Sequence, residues 1–271
     1  IENYQSIIDE RIAEFIRVNS CNPDFEIIKY ILDLKGKRVR PSLLLLSTEL
    51  FGGSAQNAID QAVAIEFFHN FTLLHDDIMD EAPLRRGKET AHLKWGVDKA
   101  ILAGDILFAH ANMMMANCSE KHLYNLLSVY NKTAIEVCEG QQMDLNLEKR
   151  RDVDIADYIE MIKLKTSVLL ACALKIGAIV SDAEKKDLDL IYDFGLNLGI
   201  AFQIHDDILD VYSDNISFGK QKGGDIIEGK KTALFIIALS FANEYQKKVL
   251  RSPEQIISVD ERVANVIEIY E

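Results

Sequence analysis

Proline is nearly missing from most of this 271-residue chain. It occurs four times, at Pro23, Pro41, Pro83 and Pro253, and the stretch from Leu84 to Ser252 has none. Nothing in that stretch removes a backbone donor, so long unbroken helices are open to it. Strand signals are as scarce: there is no Asn-Gly or Asp-Gly turn and no sustained alternation of apolar and polar residues. Cysteine is limited to Cys21, Cys118, Cys138 and Cys172, with no C-x-x-C pair. That excludes a disulfide scaffold and a zinc ribbon, and buried free thiols in a reducing cytoplasm are expected. Positive charge is in deficit: the formal net charge is −13, which argues against a nucleic-acid partner. No apolar run is long enough to cross a bilayer and no signal peptide is visible, so no membrane span is expected.

What is present is apolar residues at helical spacing. They are 48% of the chain, ample for a core, and they predict helices over about residues 3–18, 25–34, 41–51, 55–80, 98–117, 121–147, 154–179, 183–211 and 230–249. The 55–80 helix is apolar on several sides and is expected to be buried at the centre. The 98–117 helix is apolar nearly all round, which fits either a core or a subunit interface. The longest loop, Ser213 to Gly229, is rich in Gly, Lys and Asp and is a candidate lid. No linker or composition break divides the chain. The expectation is one all-α domain over residues 1–271, a helical bundle around a deep central cavity.

The chemistry centres on His75-Asp76-Asp77-Ile78-Met79-Asp80, followed by Arg85-Arg86. On a helix Asp76 and Asp80 are four apart and Asp77 and Asp80 three apart, so the three acids can converge on one face. Carboxylates that close repel unless a cation sits among them, and hard oxygens favour Mg²⁺. An isolated acidic run is most often a solvated helix end. Here the device recurs as His205-Asp206-Asp207-Ile208-Leu209-Asp210, which predicts two helices facing each other across a cavity. Basic residues accompany the acids: Lys37, Arg38 and Arg40, then Arg85 and Arg86, then Lys165, Lys220 and Lys230. Taken singly each could be a surface charge. Together with the acids they suit a substrate bearing a diphosphate, or two such substrates.

Gly36-Lys37-Arg38-Val39-Arg40-Pro41, Asp76-Asp77-x-x-Asp80 with Arg85-Arg86-Gly87, Phe202-Gln203-Ile204-x-Asp206-Asp207-x-x-Asp210 and Gly229-Lys230-Lys231-Thr232 together resemble the trans-isoprenyl diphosphate synthases. The likeness runs in order over about residues 30–235. Class I terpene cyclases share a lone D-D-x-x-D but build their second metal motif differently, so a second D-D-x-x-D favours chain elongation. The resemblance implies that Asp76, Asp80 and Asp206 hold three Mg²⁺ against an allylic diphosphate, with Asp77, Asp207 and Asp210 completing the site. It implies Arg85, Lys165, Gln203, Lys220 and Lys230 as further contacts of that diphosphate. Lys37, Arg40, His69 and Arg86 would take isopentenyl diphosphate without metal. Thr166, Gln203 and the Lys165 carbonyl would stabilise an allylic cation, and a homodimer is the expected assembly.

Product length is expected to follow from the helix leading to the first motif. Phe71 lies five residues before Asp76, roughly 7–8 Å away at 1.5 Å per residue, and Phe68 is one turn deeper. An aromatic floor at that depth goes with short products in this family. Thr72 beside it is small, unlike the paired aromatics of some farnesyl synthases, and there is no two-residue insertion in the motif. A C20 product is expected, with C15 next. The rival functions are a class I terpene cyclase, which would release a cyclic hydrocarbon, and a non-catalytic subunit of a heteromeric synthase. Subunits of that kind commonly lose an acidic motif, and both motifs are present here.

Overall fold

The computed structural model describes residues 2–21, 25–34, 36–150, 152–213, 223–251 and 258–271. The order of helices is α1 (Glu2–Asn19), α2 (Glu26–Asp33), α3 (Val39–Leu50), α4 (Ile59–Met79), α5 (Ala91–Trp95), α6 (Val97–Met115) and α7 (Glu120–Lys149). There follow α8 (Ile155–Ile162), α9 (Val168–Val180), α10 (Lys185–Tyr212), α11 (Gly224–Glu228), α12 (Ala233–Phe241), α13 (Glu244–Arg251) and α14 (Val259–Tyr270). The all-α expectation holds. The chain divides into two compact units, Ile1–Ala134 with Leu169–Gly195, and Ile135–Val168 with Leu196–Glu271.

In the first unit α4 is deeply buried, with every residue from Gln61 to Phe68 shielded from solvent, as is most of α9. Phe67 meets Phe15 of α1 at 4.7 Å between ring centroids. Against α4 lies α6, running the opposite way: the His75 ring is 3.2 Å from the Ile101 carbonyl at one end. At the other end Gln61 Nε2 donates to the carbonyls of Met114 (3.3 Å) and Asn117 (2.9 Å). A buried side chain thus satisfies carbonyls that the end of α6 leaves open. In the second unit one core gathers Leu147, Tyr158, Met161, Ile162 and Ala233, and another gathers Val211, Ile226, Leu250 and Val266.

Five expectations need correction. The loop expected over Ser213 to Gly229 contains α11 (Gly224–Glu228), and residues 214–222 of the candidate lid lie outside the described residues. The helix predicted over 154–179 is interrupted by a π-helical turn, Lys163–Ser167. The helix predicted over 230–249 is two, because the Asn243 side chain accepts from the amides of Tyr245 and Gln246 and starts α13 afresh. Two-residue strands, β1 (Leu84–Arg85) and β2 (Lys88–Glu89), form a hairpin. Arg86 (φ 52°) and Gly87 (φ 74°) both take positive φ at its turn, a geometry usually announced by Asn-Gly. Of the four thiols only Cys172 is buried; Cys21 and Cys138 are exposed.

Candidate active site

The first acidic motif forms the C-terminal end of α4, and its three acids part company. Asp77 turns inward and is 1% exposed, while Asp76 and Asp80 stay half-buried. Arg85, on β1, reaches back so that Nε lies 2.8 Å from Asp77 Oδ1 and a second guanidinium nitrogen meets the same oxygen. Burial pushes the Asp77 carboxyl above the usual carboxylate range, and Arg85 opposes that push. The hairpin that sequence reasoning missed is therefore what carries Arg85 to the motif.

A cationic cluster lies in the same unit. Arg40 donates toward His69 Nε2 at 3.3 Å. Arg86 donates to the Leu34 carbonyl at 2.7 Å. Burial holds the His69 ring well below its ordinary pKa, and Arg40, Arg86, Arg85 and Arg38 add to the effect. Burial likewise lowers Arg86. So many cations around a neutral imidazole make a place suited to an anion. Lys37 is exposed, with its carbonyl tied to Gln5 at 2.6 Å. Between them lies Arg38, part of the basic motif but given no role by the resemblance. It is buried, with φ 46°, and is anchored by Glu66 (2.5 Å), Asp9 (3.0 Å) and the Leu32 carbonyl (3.2 Å). Its backbone sets where Lys37 and Arg40 leave the chain.

The second motif, at the end of α10, sorts its acids the same way. Asp207 is buried, Asp206 is exposed and Asp210 is half-buried. Tyr158 Oη donates to Asp207 Oδ2 at 2.6 Å and Gln203 Nε2 to Oδ1 at 2.9 Å. Thr166 Oγ1 donates to Gln203 Oε1 at 3.0 Å, which fixes the amide's orientation. Burial raises the Asp207 pKa against these two donors. Asp210 accepts from the Asp225 amide at 3.1 Å. Lys165 pairs with Asp144 at 2.5 Å, and Lys230 with Glu228 at 2.7 Å. Lys220 lies outside the described residues.

Lys165 and Thr166 project from the π-turn, a departure common at functional sites. Sequence reasoning missed Tyr158, Asp144 and this turn. A tyrosine in an apolar helix carries no signature. Asp144 was signalled faintly by Gly140, a glycine in mid-helix, which marks close approach: a Cβ there would run into the Lys165 backbone.

A family model described as Polyprenyl synthetase matches residues 25–271. The chain belongs to the polyprenyl synthetase family. It is 41% identical over 277 residues to a short chain isoprenyl diphosphate synthase of Methanothermobacter thermautotrophicus, covering 100% of this chain and 83% of that one. A solved geranylgeranyl pyrophosphate synthase is 43% identical with a TM-score of 0.90, covering 98% of this chain and 84% of that one. Another, from Corynebacterium glutamicum and complexed with isoprenyl diphosphate and magnesium, is 25% identical with a TM-score of 0.89 over 98% of this chain and 85% of that one. This polyprenyl synthetase is a prenyltransferase of the short-chain type that uses isoprenyl diphosphates. Neither the cyclase nor the non-catalytic reading is favoured.

Magnesium dependence is general to the family, and the donors here suit that ion. They are carboxylate oxygens, and Asp77 Oδ2 is buried with no hydrogen-bond partner among the described residues. Those residues contain no group of three His, Cys, Asp or Glu placed to hold a metal, so the predicted convergence of three acids is not found among them. Mg²⁺ does not need such a cage: it commonly takes one or two carboxylates and fills its octahedron with water and substrate phosphate. No helix among the described residues is long and apolar enough to cross a membrane.

Proposed function

We propose that this synthetase condenses isopentenyl diphosphate with an allylic diphosphate to a C20 product, with C15 the alternative, and that residues 1–271 act as one polyprenyl synthetase domain. The carrying observation is the matched construction of the two acidic motifs. Each buries its middle aspartate on dedicated partners and turns its outer aspartates to the accessible end of a helix.

Asp76, Asp80 and Asp206 are the proposed ligands of three Mg²⁺, with Asp77, Asp207 and Asp210 holding the motifs in shape. Bound Mg²⁺ would neutralise the charge growing on the departing diphosphate. Arg85, Lys165, Lys230 and Lys220 share that task as cations, and Gln203 orients the group. Lys37, Arg40, His69 and Arg86 hold isopentenyl diphosphate. The allylic C–O bond ionises, diphosphate leaving with the bonding pair, and the double bond of isopentenyl diphosphate then attacks the allylic cation. The Thr166 hydroxyl, the Gln203 amide and the Lys165 carbonyl direct their dipoles at the positive charge. The proton then lost passes to the released diphosphate, so no side-chain base is required. Phe71 with Phe68 behind it, and small Thr72 alongside, set the length of the product.

A homodimer is supported by α6, which leaves Leu102, Ile106 and Met113 exposed along one face. An apolar stripe of that kind is typical of an interface. Four thiols without a disulfide suit the cytoplasm. The test is incubation with isopentenyl diphosphate, each allylic primer and Mg²⁺, followed by identification of the longest product. Asp76→Ala and Asp206→Ala should each lower turnover at least a hundredfold with an unchanged melting profile. A cyclic hydrocarbon as product, or near-normal turnover in either variant, defeats the reading.

A further inference from the structure

The rings that bound the proposed product path do not all come from α4. Phe108 of α6 lies 5.2 Å from Phe71 at an interplanar angle of 30°, and 5.9 Å from Phe68. On its other side it stacks with Tyr130 of α7 at 6.4 Å and 23°. Tyr130 in turn closes on Phe68 at 5.7 Å. The four rings form a closed cluster within the first unit, and their exposure sorts them into two layers. Phe71 and Phe108 are half-buried, whereas Phe68 and Tyr130 are each 1% exposed.

The opposed run of α4 and α6 explains the pairing. Moving down α4 from His75 to Phe71 to Phe68 moves up α6 from Ile101 through Gly104 to Phe108. Gly104 makes the approach possible. A Cβ there would stand 2.5 Å from the His75 ring and 3.4 Å from the Phe71 ring, so a side chain at 104 would have to displace the His75 ring. Phe108 follows four residues later on the same face of α6. With Phe71 cut back to alanine, Phe108 still stands beside the vacated space.

We infer that Phe108 is a specificity-determining residue. The floor that limits product length is the ring pair Phe71–Phe108, one ring from each of two helices, and Phe68 with Tyr130 is the buried base beneath it. The inference rests on the reading that the growing chain extends along α4 away from Asp76. It adds a residue from a helix that carries neither acidic motif.

The experiment compares the longest product of wild type, Phe71→Ala, Phe108→Ala, the double variant and Phe108→Leu. Each full-length protein is given isopentenyl diphosphate, an allylic primer and Mg²⁺. Phe108→Leu keeps most of the volume and guards against an alanine variant that fails to fold. Phe108→Ala should lengthen the longest product by at least one C5 unit, Phe108→Leu should shift part of the product the same way, and the double variant should exceed both single alanine variants. The first condensation by the Phe108 variants should stay within about threefold of wild type, since Phe108 is not among the residues proposed to hold a diphosphate. The inference is overturned if Phe71→Ala lengthens the product while both Phe108 variants stop at the wild-type length. It is overturned equally if the double variant matches Phe71→Ala. A third result separates its fate from that of the underlying reading: prenyl products of wild-type length from every variant, Phe71→Ala included, would remove the α4 floor itself and the pair with it.

Discussion

Replacing Tyr158 by phenylalanine deletes one oxygen and tests whether the buried aspartate of the second motif serves the metal site. Tyr158 is 1% and Asp207 5% exposed, and the bond between them is 2.6 Å. A hydrogen bond to a charged acceptor contributes about 1.5–3 kcal/mol, and removing the donor leaves Asp207 Oδ2 buried beside a ring edge. Gln203 would then be the remaining side-chain donor to that carboxylate among the described residues. Loss of a residue that supports metal ligands typically weakens metal affinity about 10–100-fold. At about 1.4 kcal/mol per tenfold this is about 1.4–2.8 kcal/mol, the same range as the lost bond. Turnover measured against free Mg²⁺ should therefore show half-saturation moved up 10–100-fold. The KM for isopentenyl diphosphate should stay within about twofold, because its proposed contacts lie in the other unit. A variant that melts earlier but keeps the wild-type Mg²⁺ dependence would refute the link and reduce Tyr158 to a core residue.

Two further outcomes follow from the cationic cluster. Arg38 and Glu66 side chains are 4% and 3% exposed and 2.5 Å apart. Arg38→Met strands a buried carboxylate at a cost of about 3–5 kcal/mol, which should lower Tm on the order of 10 °C. Adding Glu66→Gln should recover much of the loss, and a fall under about 2 °C would show that the pair is dispensable. His69 is held neutral, its pKa depressed chiefly by burial and then by Arg40 and its neighbours. The unfolded chain gains a proton near pH 6.5 that the folded chain refuses. The stability tied to His69 is thus present above about pH 6.5 and is lost as pH falls toward the depressed folded value. Thermal melts without substrate should decline more steeply from pH 7.5 to 5.5 in wild type than in His69→Gln, and parallel declines would count against a neutral His69.

Both acidic motifs could be read in the sequence because their information is local. Acids three and four residues apart share a helix face whatever the rest of the chain does, and an apolar run leading into them names the helix. The division of labour within each motif is not local. Asp77 is set apart from Asp76 and Asp80 by Arg85, which arrives on a hairpin turned at Arg86-Gly87, a pair that lacks the usual turn residues. Asp207 is set apart by Tyr158, 49 residues earlier, which looks like any other apolar-helix residue until α8 meets α10. The same limit explains the floor. Phe71 and Phe68 are visible by counting back from Asp76 on one helix. Phe108 is visible only once α4 and α6 are known to run in opposite directions with Gly104 at their close approach. What lies within one helix can be counted along it, whereas what lies between two helices depends on their register. Neighbouring motifs therefore announce the chemistry, while Phe108 and Tyr158, proposed to tune it, act through contacts 37 and 49 positions apart in the chain.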